Sequence, residues 1–343
     1  MQALVYHGPE TIKLEELPPP KPGPDQALVR ITAAGVCGSD VEGYLGHTGR
    51  RTPPLVMGHE LAGTVLEAPK GARVKPGDRV VPFPKLYCGE CPACKAGNYQ
   101  RCEKAPFLGV FSQGGGYTEL LAIDPQYLIA LGGTVDDSEI ALTEPFAVAY
   151  HGAAKLATSG LPKEEPVLVI GAGAIGQLTV KALRVLGYRN VIVSDLSSGR
   201  LEIAEREGAV GTVNAGETDV VDGVKSITGG SLAGATIEAV GAAKPVGDSL
   251  NAVKTGGTVV WIGLANRYVE IDMHAVVTRE LEVLGSFLYS LVDFTTCGEL
   301  ISSREVDVRG LVSEIRPLSE GVEVFRRLSK GPDGETLKVV LEP

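Results

Sequence analysis

Apolar and polar residues follow two different rhythms along the 343-residue chain, and the change falls near Pro166. Before it, short runs such as "ALVYH", "QALVRITAAG", "ELAGTVLEA", "DRVVPF" and "YTELLAI" are separated by Gly and Pro. Short apolar runs punctuated by turn formers predict strands, so the first part of the chain reads as a mostly antiparallel β domain with long loops. After Pro166 the run "VLVI" fits a strand buried on both faces and leads straight into "GAGAIG". In "AIGQLTVKALRVLG", Ile175, Leu178, Leu183 and Leu186 stand near helical spacing, and Gly187 offers a C-terminal cap. The strand "VIVSD" follows, then "SSGRLEIAEREG", whose serines suit an N-cap and which ends at Gly208. "ATIEAV", "GTVVWIG" and "LEVLGSF" continue as strands, with a helical stretch around 244–254 between the first two. This alternation predicts a parallel sheet wound with helices on both faces. The last residues hold two helical stretches and a final strand, "TLKVVLEP". Pattern alone does not say which domain they join.

The length suits two domains, each with its own core. A formal net charge of −10 offers no basic field for nucleic acid or an anionic membrane, which leaves small-molecule chemistry. The N-terminus "MQALVYHGPE" has no basic segment followed by an apolar one, and no run approaches the roughly 20 apolar residues of a membrane span. A cytoplasmic protein is expected.

That compartment bears on the six cysteines, because it keeps thiols reduced. Cys88, Cys91, Cys94 and Cys102 lie in a C-x2-C-x2-C-x7-C spacing within polar surroundings. Four thiolates converging on one ion complete the tetrahedron of a closed, structural zinc site. Cysteines packed as small hydrophobes fit this polar segment poorly.

Gly171, Gly173 and Gly176 sit between a buried strand and a helix opened by Ala174 and Ile175. A tight turn, close approach to a pyrophosphate and helix–sheet packing each exclude a side chain there, so the segment reads as a dinucleotide fingerprint. Asp195, 19 residues past Gly176, ends the next strand, where a carboxylate accepts hydrogen bonds from ribose hydroxyls and repels a 2′-phosphate. NAD is therefore expected over NADP. Leu196 follows it, and Arg200 offsets part of the repulsion. Cys37 in "GVCGSD", His59 and Glu60 in "MGHELAG", and Glu144 in "LTEPFAVAYHGA" form a second metal-capable set. One thiolate, one imidazole and a carboxylate suit an open catalytic zinc site.

With "CGSD", "GHE", "GDRV", the four-cysteine lobe, "EP", "GAGAIG" and "DLS" in this order, the sequence resembles the zinc-containing medium-chain alcohol dehydrogenase family nearly end to end. Glu144 and "DLS" are similar to its polyol and secondary-alcohol branch, which includes sorbitol, butanediol, galactitol-phosphate and threonine dehydrogenases. The resemblance implies an α/β fold in which a Rossmann doubly wound parallel sheet (149–287) is inserted into a GroES-like, mostly β catalytic domain (1–148, with a zinc lobe at 84–105, and 288–343). It implies two zinc ions and NAD, a homodimer or homotetramer meeting through the "GTVVWIG" edge, and a zinc-held substrate hydroxyl that loses its proton through Ser39 while hydride passes to the cofactor.

Which carboxylate ligates stays open between Glu60 and Glu144. Neighbouring side chains diverge, so Glu60 reaches the ion only if the backbone near Gly58 is irregular; otherwise it orients a ligand. One thiolate and one carboxylate leave the ion neutral, and a second carboxylate would weaken it as a Lewis acid. Two features depart from the polyol pattern. Leu288 stands where an Arg usually precedes Tyr289, and "FLGVFSQGGG" holds no basic residue to pair with a sugar phosphate. A secondary alcohol or polyol is the expected substrate, oxidised to the ketone, with smaller or less hydroxylated alcohols fitting better; amino-alcohol oxidation of the threonine type, or a non-catalytic zinc and nucleotide-binding role, are the alternatives. His47, near Tyr44, is a candidate extension of the proton path.

Overall fold

The computed structural model describes residues 1–111, 114–331 and 334–343. Ser112 and Gln113 of the "FLGVFSQGGG" stretch lie outside the described residues. The chain divides into two compact units, Met1–Glu144 with Ser290–Pro343, and Pro145–Tyr289. Among the described residues no helix is long and apolar enough to cross a membrane.

The first unit is built on a seven-stranded sheet. Its path runs Val312–Pro317, Lys338–Glu342, Ala27–Gly35, Glu60–Glu67, Arg79–Pro82 and Leu128–Ala130, with Leu120–Ile123 pairing to Ala27–Gly35 off that path. Pairings are antiparallel except between the last two strands of the chain. A small sheet of Thr11–Glu16, Gln2–Gly8 and Leu55–Val56 completes the unit. Val340 and Leu341 pair with Gly35 and Ala34, so the chain's end joins this unit. The sequence reading has no strand at Val312–Pro317, because its residues are mostly exposed and carry no apolar run. It is recruited by its parallel neighbour, not by its own pattern.

In the second unit six parallel strands follow the order Gly211–Asn214, Val191–Asp195, Val167–Ile170, Ala233–Glu238, Val253–Trp261, Glu282–Gly285. Leu168, Ile170, Ile192 and Val213 from three of these strands pack on Val220 and Val224 of the helix Val220–Thr228. Chain order reverses between Val167–Ile170 and Ala233–Glu238, and ligands of such sheets bind outside the carboxyl ends of the strands at that point. The strand in "GTVVWIG" is not an edge. It pairs on both sides, and the edge belongs to Glu282–Gly285. An all-apolar run reads alike with one neighbour or two, which is why the pattern misplaces it.

Candidate active site and metal centres

The four-cysteine lobe brings its sulfurs together as the spacing requires. Around the ring of four, Sγ separations are 3.5 Å (Cys91–Cys94), 3.9 Å (Cys94–Cys88), 3.6 Å (Cys88–Cys102) and 3.8 Å (Cys102–Cys91). A tetrahedron with metal–sulfur bonds of about 2.3 Å has edges of about 3.8 Å, so the cage fits zinc without rearrangement. Pro92 opens the short helix Pro92–Lys95, where its missing N–H costs nothing, and the turn holds Cys91 and Cys94 on one side. Backbone N–H groups of Glu90 and Cys91 lower the Cys88 thiol to about 6, whereas burial lifts Cys94 to about 12. Four thiolates at this distance need a cation between them.

The second set forms where the loop ahead of strand Glu60–Glu67 meets the helix Gly38–Tyr44. Cys37 caps that helix, half-buried, and its Sγ accepts the N–H of Ser39 at 3.4 Å. Ser39 itself is exposed. His59 and Glu60 are buried neighbours, and one ligand atom from each of Cys37, His59 and Glu60 lies within 4.8 Å of the others. The irregular backbone that Glu60 needs is present: Gly58 has φ +99°, and a Cβ there would lie 2.9 Å from the Tyr117 ring. Room for the carboxylate comes from Gly35, whose Cβ would fall 2.2 Å from Glu60 Oε2. Thiolate, imidazole and carboxylate with an open fourth position are the donor set of a catalytic zinc, and these residues fit that ion. Glu144, buried in the helix Thr143–Thr158, is not in the convergent trio, yet its charge acts on both His59 and Lys338.

A layer of buried charge that the sequence reading does not assign stands behind these three. Asp40 is fully buried. Its Oδ1 accepts Arg51 Nη2 at 2.6 Å, and its Oδ2 lies 2.6 Å from the Tyr117 hydroxyl and 3.6 Å from His59 Nδ1. The imidazole thus turns Nδ1 toward a carboxylate, the arrangement that would leave its other nitrogen for a metal ion. Burial pushes the imidazole's pKa down, but the charges of Asp40 and Cys37 outweigh it and raise it to about 10. Buried Lys338 donates to both oxygens of Glu60 at 2.7 Å each and to the Val36 carbonyl at 3.2 Å. Desolvation lowers the pKa of this ammonium, and Glu60 and Cys37 more than restore it, leaving it raised. Phe107 sets its ring edge-on to His59, with centroids 5.3 Å apart. Asp40 stands inside the "CGSD" motif, a local signal; Lys338 lies 278 residues from Glu60 and has none. His47 pairs with Glu42 at 2.8 Å, while the Tyr44 hydroxyl donates to the Glu10 carbonyl, so neither bond links the two.

In the second unit the glycine turn has the required form. Gly171 has φ +95°, and a Cβ on Gly176 would lie 1.7 Å from the Gly171 carbonyl oxygen. Gly173 is the N-cap of the helix Ala174–Val185, whose first N–H groups at Ala174 and Ile175 face no in-helix acceptor and suit a phosphate. Asp195 accepts the N–H of Ala172 at 2.6 Å and of Ser197 at 2.9 Å, which fixes its carboxylate beside the turn. Leu196 is exposed, and the Arg200 carbonyl is held by Gln177 Nε2 at 2.8 Å.

Comparison with known proteins agrees with this geometry. Residues 23–133 match the alcohol dehydrogenase GroES-like domain, and residues 174–303 match the zinc-binding dehydrogenase family. The chain is 30% identical to the sorbitol dehydrogenase of Bacillus subtilis (strain 168), over 100% of this chain and 97% of that protein. It is also 30% identical to the L-galactonate-5-dehydrogenase of Escherichia coli (strain K12), covering 95% of each. A solved structure from Sinorhizobium meliloti 1021, described as a zinc-binding dehydrogenase and bound to NADP, superposes with a TM-score of 0.91 at 31% identity, over 100% of this chain and 99% of that one.

Proposed function

Because this chain belongs to the zinc-binding dehydrogenases with a GroES-like domain, we propose that it oxidises a secondary alcohol to the ketone, with NAD as hydride acceptor. The convergence of Cys37, His59 and Glu60 within 4.8 Å is the observation that carries this reading. A zinc ion held there supplies Lewis acidity that lowers the pKa of the substrate hydroxyl toward neutrality, and the dinucleotide takes up the hydride. Cys37 and His59 are direct ligands in this account, and Glu60 is the carboxylate ligand. Glu144 acts through its charge. Ser39, exposed and two residues from Cys37, carries the substrate proton outward.

Lys338 changes the charge arithmetic of the centre. Thiolate and Glu60 would together neutralise a zinc ion held there, and the buried ammonium on Glu60 would restore one positive charge to the centre and so preserve its Lewis acidity. The fixed Asp195 carboxylate supports NAD over NADP, although the Sinorhizobium relative carries NADP. Phe107 beside His59 and Leu288 in place of an arginine support a secondary alcohol with few distant hydroxyls. The unpaired edge Glu282–Gly285 and the exposed Leu264, Tyr268, Met273 and Val277 support a homodimer or homotetramer, and four reduced, metal-ready thiols support a cytoplasmic location.

The test is a panel of 2,3-butanediol, sorbitol, xylitol, galactitol phosphate and threonine, ranked by kcat/KM with NAD and with NADP, on zinc-loaded and chelated enzyme. Butanediol is expected to lead, with NAD, and only when zinc is present. Full activity in a verified zinc-free preparation rejects the mechanism.

A further inference from the structure

Glu238 is a buried ionisable residue that belongs to neither metal centre nor to the glycine turn. It closes the strand Ala233–Glu238 at the point where strand order reverses, and it is fully buried. Its Oε1 accepts two backbone N–H groups, from Val240 at 2.7 Å and Gly241 at 2.6 Å, while its buried Oε2 has no hydrogen-bond partner among the described residues. A carboxyl group at such a site is costly, and an apolar residue would finish the strand without that cost. The two bonds to Oε1 fix the chain that follows the strand.

They hold a turn that leans on the dinucleotide fingerprint. Ala239 N–H donates to the Ile170 carbonyl at 2.9 Å, tying the turn to the strand that feeds the glycine segment. Val240, partly exposed at the carboxyl end of the sheet, covers Gly171 so closely that a Cβ on that glycine would lie 2.6 Å from a Val240 methyl carbon. The same turn is laced to the segment that follows the next strand. The Glu238 carbonyl accepts Ile262 N–H at 2.8 Å, and the Gly241 carbonyl accepts Asn266 N–H at 2.9 Å. Gly241 and Gly263 stand back to back, with a Cβ on Gly263 falling 2.1 Å from the Gly241 nitrogen. One carboxyl oxygen therefore gathers the turn that braces the phosphate-binding loop from the neighbouring strand.

We propose that Glu238 is a positioning residue for the dinucleotide: its carboxyl oxygen fixes the 239–241 turn, and the turn sets Val240 against Gly171, holding the glycine loop in its binding shape. This rests on the reading that the second unit binds NAD. Because the geometry uses Oε1 only as an acceptor and leaves Oε2 unbonded, the function needs a carbonyl-type oxygen and not a charge. A glutamine serves as well; an alanine does not.

The experiment measures NAD dissociation constants by titration of the zinc-loaded protein for wild type, Glu238→Ala, Glu238→Gln and Val240→Ala, with bound zinc counted in each. Glu238→Ala is expected to weaken NAD about tenfold or more, the loss of two hydrogen bonds to one oxygen. Glu238→Gln should bind within about threefold of wild type, and Val240→Ala should weaken NAD by several-fold. Zinc stays at the wild-type count throughout, and in turnover the loss falls on KM for NAD with kcat little changed. If Glu238→Ala does not yield folded protein, Val240→Ala and Glu238→Gln decide. NAD affinity in Val240→Ala or Glu238→Ala equal to wild type, or Glu238→Gln as weak as Glu238→Ala, overturns the proposal while leaving the cofactor reading in place. A wild-type protein that binds no NAD overturns the cofactor reading itself.

Discussion

Replacing Lys338 by methionine isolates the charge balance of the buried Glu60–Lys338 pair. The substitution keeps the volume of the buried stem and removes an ammonium that serves both Glu60 oxygens at 2.7 Å and the Val36 carbonyl at 3.2 Å. In the metal-free protein Glu60 then keeps a buried charge with no counter-charge from the chain's end. Breaking one side of a buried pair costs about 3–5 kcal/mol. For a unit of this size about 2–4 °C of melting temperature is lost per kcal/mol, so a fall on the order of 10 °C is expected. In the zinc-loaded protein the ion takes the place of the ammonium as Glu60's counter-charge, and the fall should be less than half as large. Thermal unfolding of wild type and Lys338→Met, each with chelator and with zinc, reads both numbers, and Lys338→Arg should recover most of the loss. Equal falls with and without zinc would separate Glu60 from the ion and refute the reasoning. So would a metal-free fall below about 2 °C.

Three further outcomes follow from the geometry. In metal-free protein His59, raised from 6.5 to about 10, holds a proton that zinc must displace. Its folded value lies above its unfolded one, so its stabilisation is complete below pH 6.5 and fades as pH rises through about 10; zinc affinity should rise at least about tenfold per pH unit between 7 and 9, and a flat titration there contradicts it. Gly176→Ala puts a methyl 1.7 Å from the Gly171 oxygen, so NAD binding should fall at least about tenfold with zinc content unchanged; intact NAD binding contradicts the turn's role. Cys94→Ser removes one corner of the four-sulfur cage and should lower bound zinc from two per chain to one together with heat resistance; retention of two ions contradicts a separate structural site.

How far the sequence speaks for itself depends on the distance over which each feature is decided. The cysteine lobe and the glycine turn are legible because fifteen or fewer residues fix each of them, and their spacings map directly onto ligand and turn geometry. The role of Glu60 hinges on one backbone angle, φ at Gly58, which no pattern of residue types states. Lys338 reaches Glu60 only through the pairing of the last strand with Ala27–Gly35, and the strand Val312–Pro317 forms without any apolar run to announce it. The misplaced "GTVVWIG" edge has the same origin: neighbours in a sheet are a tertiary fact, and the run of Val259 and Val260 is equally apolar with one or two of them.

The proposed oxidation requires one zinc ion among Cys37, His59 and Glu60. Anomalous diffraction recorded on both sides of the zinc absorption edge tests it most directly. Two peaks per chain are expected, one inside the four-cysteine cage and one bonded to Cys37, His59 and Glu60. A single peak confined to the cage, or a second one bonded to residues other than Cys37 and His59, would contradict it.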